Sequence, residues 1–297
     1  MNTPTRHFSD TPKNRKIGII LIVMATVAFA TLDALAKYLV QFLPVTEVVW
    51  ARFFSQFVLM CAIFLPKQGL SLIKVAHPRL HFVRSMLLVV MTLANFAALQ
   101  YLPMAQTAAI EFTVPILIAL FSVHYLKESL GFKRWLAIFC GFLGVLIVVR
   151  PWSADFHPAV FFSFINAFGY AIFLMITRKV TANDSAAQSQ FLPILGVVVV
   201  LLPFTISQWV MPSSISMWLL IILMGAIGGI GHFAVAHAYR YATAGMLGPF
   251  LYQKIIYMTL WGWILFNQLP DLLVISGTLI VVVSGLYLLL HEMRQSH

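Results

Sequence analysis

Long apolar stretches follow one another along this chain with almost nothing polar between them. A run of roughly 20 apolar residues crosses the hydrocarbon core as a helix. Ten such runs can be marked, at 17–40, 44–65, 80–100, 103–126, 132–149, 157–178, 187–208, 215–239, 243–267 and 271–290. The connections are short, and many carry Pro or Gly: Pro44, Pro66, Pro103, Gly131, Pro151, Pro212 and Pro270. No water-soluble domain fits between any two runs. Only 9% of the 297 residues are charged, against about 25% in a soluble domain, so the chain cannot cover a water-facing surface. The predicted class is all-α integral membrane.

The N-terminus resembles a signal peptide, with Arg6, Lys13, Arg15 and Lys16 ahead of an apolar run reaching Ala28-Phe-Ala30. The apolar pattern continues to Leu43, however, so the segment is read as an uncleaved first helix. Cys61 and Cys140 lie in separate apolar runs, which gives no disulfide framework.

A weak internal repeat divides the chain. Shifted by 140 residues, Tyr101 falls on Tyr241, Ala105 on Gly245, Glu111 on Leu251 and Glu128 on Gln268; one residue of slippage brings Gly144 to Gly285. The expected units are a tail at 1–16, five-helix halves at 17–150 and 157–290, and a tail at 291–297. Five is odd, so the second half inserts with opposite topology. Inverted repeats of this kind place substrate sites at their interface near mid-bilayer.

Cations set the orientation. They gather in the N-terminal tail and in alternate loops (Lys67, Lys74 and Arg79; Lys127, Lys133 and Arg134; Arg178 and Lys179), with Arg240 and Arg294 after helices 8 and 10. The opposite loops hold only Arg150. Both termini are therefore expected in the cytoplasm, and the net charge of +10 reports topology rather than nucleic-acid binding.

Ionisable groups inside spans cost about 2.5–3.5 kcal/mol each and mark function by default. Here they are Asp33, Lys37, Glu47, Arg52, Arg84, Glu111 and Lys254. Arg84 is near a helix end and can snorkel. Asp33 and Lys37 are four apart on one helix face and can pair. With Glu47 and Arg52 they form either neutralising pairs or an external gate. Pro115 removes the hydrogen bond to the carbonyl of residue 111, leaving a backbone acceptor beside the Glu111 carboxyl. Glu111 is either a proton carrier, since burial raises a carboxyl pKa, or a protonated acid bonded to a neighbouring helix. Lys254 matches Val114 in the repeat, within a turn of Glu111, so both charges can face one cavity. Tyr252 and Gln253 are polar neighbours, and Asn95, Asn166, Tyr170 and His232 are further substrate-binding or coupling candidates.

Other patterns carry no chemistry. His232 and His237 are five apart and do not form the i, i+4 metal pair, so no metal or cofactor is expected. Glycines at 225, 228, 229 and 231 point to close helix packing rather than phosphate binding. His77 and His81 adjoin a basic loop and are expected to be solvated.

The pattern resembles the drug/metabolite transporter superfamily, EamA type, over nearly the whole chain. The resemblance rests on the two five-helix halves and on the run from Pro115 to Lys127-Glu128. Within it, Leu32-Asp33-Ala-Leu-Ala-Lys37, Glu47-Val-Val-Trp-Ala-Arg52-Phe53, Tyr101-Leu-Pro103-Met-Ala105, Pro249-Phe-x-Tyr252 and Asn267-Gln-Leu-Pro-Asp271 are similar to the S-adenosylmethionine-uptake branch. The resemblance implies an inner-membrane carrier of small metabolites with a central cavity. Two departures are Gln268, where a carboxylate is usual, and Lys254, where relatives often place an acid. A cation there disfavours a sulfonium substrate.

The expected function is a secondary transporter moving a small polar or zwitterionic metabolite across the inner membrane by alternating access. S-adenosylmethionine, amino acids and riboflavin-like compounds are the candidate cargo. A lipid-modifying membrane enzyme and a non-transporting membrane partner protein are the alternatives. The first needs surface acids or metal ligands that the short loops lack; the second needs a bundle without an open cavity. Substrate, direction, coupling ion and oligomeric state, a homodimer included, are not encoded in these patterns.

Overall fold

In a computed structural model the fold is described for residues 11–126, 132–154, 156–180, 184–242 and 244–295. The expected Lys127-Glu128 helix end and Gly131 lie outside the described residues, as do most of the N-terminal tail and the last two residues. Among the described residues the structure is helical, with no strand: α1 (Pro12–Leu39), α2 (Val45–Gln68), α3 (Pro78–Tyr101), α4 (Met104–Glu111), α5 (Val114–Leu126), α6 (Phe132–Val149), α7 (Val160–Val180), α8 (Ala186–Ser207), α9 (Ile215–Tyr241), α10 (Ala244–Leu251), α11 (Lys254–Phe266) and α12 (Leu272–Gln295). A 3₁₀ turn, Gly69–Ile73, follows α2.

Seven described segments are long and apolar enough to cross a membrane, and three shorter apolar helices accompany them. Polarity is reversed relative to a water-soluble fold. Phe132, Ile215, Leu272 and many other large apolar side chains lie on the outside, while Asp33, Lys37, Glu47, Arg52 and Arg84 are buried. Hydrocarbon solvates such an exterior at no cost, whereas the enclosed polar groups need partners within the bundle. The protein is a multi-pass membrane protein.

Two runs expected as continuous helices are each split. In the first, Pro115 offers no N–H to the carbonyl of Glu111. Thr113 N–H bonds the carbonyl of Ile110 at 3.0 Å, and its hydroxyl donates to the same oxygen at 2.7 Å. In the second, α10 ends at Leu251 and α11 starts at Lys254, without a proline at the equivalent place. All four boundaries of α4 and α5, shifted by 140, coincide with those of α10 and α11.

The two halves interdigitate. Gly18 of α1 lies against Ala242 and Leu32 against Gly228, so α1 runs antiparallel to α9 across the division. Helices α6 and α12 are also antiparallel: Arg150 meets Asp271 at one end of the seam, and Gly141 lies against Ser284 towards the other. Between them a Cβ on Gly144 would lie 2.8 Å from the carbonyl oxygen of Gly277, and one on Gly277 would lie 2.6 Å from that of Gly144. Backbones this close leave no space for any side chain, and that closeness substitutes for the hydrophobic effect absent between helices in lipid.

Candidate functional site

A cavity of about 430 Å³ lies between the halves, and both helix breaks open onto it: Glu111, Phe112, Val114 and Pro115 from one, Leu251 and Lys254 from the other. Non-helical backbone at membrane depth is tolerated where it lines a cavity, so the breaks and the hollow explain each other. Phe112 and Tyr252, at equivalent points of the two breaks, pack edge to face with ring centroids 5.0 Å apart.

Lys254 is the centre of the polar wall. Its Nζ lies 2.8 Å from Glu111 Oε2 and 3.0 Å from Asp33 Oδ2, so one ammonium joins two carboxylates from separate helices. Asn95 Nδ2 donates to the other Asp33 oxygen at 3.1 Å. The Lys254 side chain is 12% exposed and Asp33 6%, whereas Glu111 at 21% is the more open acid. Two carboxylates against one ammonium leave this group one formal negative charge. Arg52, Asn166, Tyr170 and His232 also line the cavity, with Thr26, Thr92 and Tyr239, and His232 is held edge to face against Phe29, centroids 5.0 Å apart.

The remaining sequence-derived candidates stand apart from this cavity. Lys37 shares a helix face with Asp33, but its Nζ donates to the carbonyls of Leu99 at 2.6 Å and Leu102 at 2.8 Å. Those acceptors are released where α3 ends, and they are reached by Lys37 while Asp33 turns to Lys254. Glu47 Oε2 accepts from the backbone N–H of Val210 at 2.9 Å, a tie to the loop before α9 rather than an ion pair within the expected quartet of charges. Tyr252 packs its hydroxyl against Gly285. Gln253 bonds Thr26 Oγ1 at 3.1 Å, behind the cavity wall.

Two expectations for the opposite end are corrected. His81, expected in solvent, is buried, with Nε2 2.9 Å from Asp184 Oδ2. Asp184 Oδ1 also accepts from Ala76 N–H at 2.9 Å. Arg84 does not snorkel: buried, it donates to the Ser189 carbonyl at 2.9 Å and hydroxyl at 3.1 Å, and stacks over Phe173. Burial follows from α8 packing along α3, which brings an acid to the histidine. Asp184 lies in a loop where its charge was unremarkable, and no signal in the sequence singled it out.

Residues 16–150 match the model of the EamA-like transporter family. This chain carries an EamA-like transporter domain. It spans α1 to α6 and contributes Asp33, Arg52, Asn95 and Glu111 to the cavity; Lys254, Tyr170, Asn166 and His232 come from the half that follows the EamA-like domain. Relatives align over nearly the full length. An S-adenosylmethionine uptake transporter of Rickettsia bellii is 25% identical over 96% of this chain and 98% of its own. A riboflavin transporter of Vibrio cholerae is 28% identical over 94% and 95%, and a pseudopaline exporter of Pseudomonas aeruginosa 24% over 91% and 94%. A crystal structure covering 93% of this chain and 96% of its own superposes with a TM-score of 0.63 at 18% identity, a likeness of fold. The relatives' names are those of transporters.

Proposed function

We propose that the protein is a secondary transporter that moves a small polar or zwitterionic organic metabolite by alternating access. Its seven long and three shorter apolar segments are read as ten crossings, in two inverted halves at 17–150 and 157–290. Both termini face the cytoplasm of a bacterial-type inner membrane. The bridge from Lys254 to Asp33 and Glu111 carries this reading. It ties the second half to the first across a cavity, at two broken helices, and a tie that substrate or proton can displace suits a carrier that reopens on the other side.

Because relatives are named for S-adenosylmethionine and riboflavin, those two are among the first cargoes to test. Lys254 alone disfavours a sulfonium, but Asp33 and Glu111 more than neutralise it. A zwitterion or a sulfonium therefore meets no net positive charge at this group.

Uptake of radiolabelled S-adenosylmethionine, methionine and riboflavin into proteoliposomes, with and without a pH gradient and internal exchange substrate, tests the reading. Wild type accumulates at least one of them, and Glu111→Gln and Lys254→Ala both slow it when the rate is normalised to folded, reconstituted protein. Unchanged transport in both variants removes the bridge from the site.

A further inference from the structure

We propose that Arg52 is the receptor for a carboxylate of the transported metabolite. This assignment rests on the transporter reading above and specifies which end of the substrate the second cationic wall residue holds.

Arg52 is 5% exposed and lines the cavity. Among the described residues every other buried charged side chain has a hydrogen-bond or ion-pair partner. Asp33 has Lys254 and Asn95; Lys37 has two carbonyls; Glu47 has Val210 N–H. Arg84 has Ser189, and His81 and Asp184 have each other. The Arg52 guanidinium stacks over its neighbour Phe53, 4.1 Å from the ring centroid, and has no protein acceptor in hydrogen-bond reach among those residues. Its Nε is fully enclosed and unpartnered.

The surroundings extend the same feature. One turn along α2, both amide atoms of Gln56 are enclosed and unpartnered. Gly228 of α9 leaves room for both side chains: a Cβ there would lie 3.1 Å from Arg52 Nη2 and 3.4 Å from Gln56 Oε1. Burying a charged fork without an acceptor is costly, and a planar carboxylate satisfies it bidentately. Asp33, whose charge acts on Arg52, makes no hydrogen bond to it and is bonded instead to Lys254 and Asn95. Glu111 is bonded to Lys254, and Glu47 gives one oxygen to the Val210 backbone and leaves the other enclosed without a partner. The ligand then supplies the acceptor. Its cationic group lies towards the net-negative bridge at Glu111, so the cavity reads a zwitterion at two points.

The test uses the full-length protein in nanodiscs and proteoliposomes, with two matched pairs of probes: S-adenosylmethionine against its decarboxylated amine, and methionine against methioninamide. Wild type is expected to bind the carboxylate member of at least one pair about ten- to a hundredfold tighter, the range for hydrogen bonds to a charged group. Arg52→Gln reduces that member to the affinity of its partner, while Glu111→Gln weakens both members and preserves their ratio. Arg52→Lys, which keeps charge but loses the fork, retains part of the preference. If Arg52→Gln does not fold, Gly228→Ala decides, because its methyl meets Leu32 Cδ1 at 3.0 Å and Arg52 Nη2 at 3.1 Å, displacing the guanidinium without removing it, and lowers the same ratio. A ratio preserved in Arg52→Gln or in Gly228→Ala overturns the assignment. Wild type that binds both members of each pair equally also overturns it, and leaves the transporter standing. Wild type that neither binds nor transports any of the four compounds removes the zwitterion reading and this assignment together.

Discussion

Phe112 and Tyr252 meet edge to face although they lie on different halves of the chain, and each marks the point where its helix breaks. Their rings join the two breaks directly, so the irregular backbone around the cavity is braced from within. Truncating either ring to Ala should cost about 3–5 kcal/mol, and the double variant should cost clearly less than their sum. Tyr252→Phe should be neutral or stabilising, because the hydroxyl is enclosed without a partner among the described residues. Thermal melting of the four variants in detergent checks all three statements; additive losses count against the brace.

Removing Lys254 leaves Asp33 and Glu111 facing each other across one cavity. Lys254→Ala should destabilise the protein by up to about 3–5 kcal/mol, the usual cost of orphaning a buried partner, and the partial exposure of Glu111 moderates it. Adding Glu111→Gln should recover much of the melting temperature without recovering transport. A double variant no more stable than Lys254→Ala would show that the acids are not the source of the cost.

The α6–α12 seam admits no side chain at its crossing. Gly144→Ala and Gly277→Ala each drive a methyl into backbone oxygen rather than into a movable side chain. Each should lower stability by about 1–3 kcal/mol, and the pair should be non-additive because they share one crossing. Melting temperatures within a degree of wild type would mean that the helices separate freely.

Asp184 ties the segment before α3 to α8 through Ala76 and His81. Asp184→Ala orphans both and should cost about 1–3 kcal/mol. It should also speed proteolysis of the 69–77 loop. Asp184→Asn, which keeps the acceptor for Ala76 N–H, should lose less.

At the opposite end, the Arg150 guanidinium, followed by the N–H groups of Val274 and Leu273, holds the Asp271 carboxyl below its usual range. A depressed carboxyl contributes stability above its unfolded pKa and loses it as pH falls through the folded one. Asp271→Asn should therefore be less stable than wild type at neutral pH, with the gap closing below about pH 4, the usual carboxylate range. Melting across pH 3–7 tests this; a gap independent of pH assigns Asp271 to helix capping alone.

Much of this was legible in the residues. Spans followed from apolar length, and the lost hydrogen bond at the Glu111 carbonyl followed from Pro115, since proline has no N–H to give; that the run from 103 to 126 divides there into two helices came only from the structure. Glu111 and Lys254 were brought near each other by a shift in numbering, without any contact being known. The break before Lys254 was not legible, because no proline stands there and the discontinuity depends on what α10 and α11 pack against. Pairing was also poorly legible. Asp33 and Lys37 suit each other by helix spacing, yet each finds a better partner on another helix.

From its order of residues alone the chain was determined to be helical, to reside in lipid and to keep its charges at a small set of depths, because solvation of each side chain is a local property. Which charge meets which was decided only by the packed bundle. Coulombic partnership depends on a few ångströms between helices far apart in the chain, and that distance depends on where glycines such as Gly144, Gly225 and Gly277 let backbones close in.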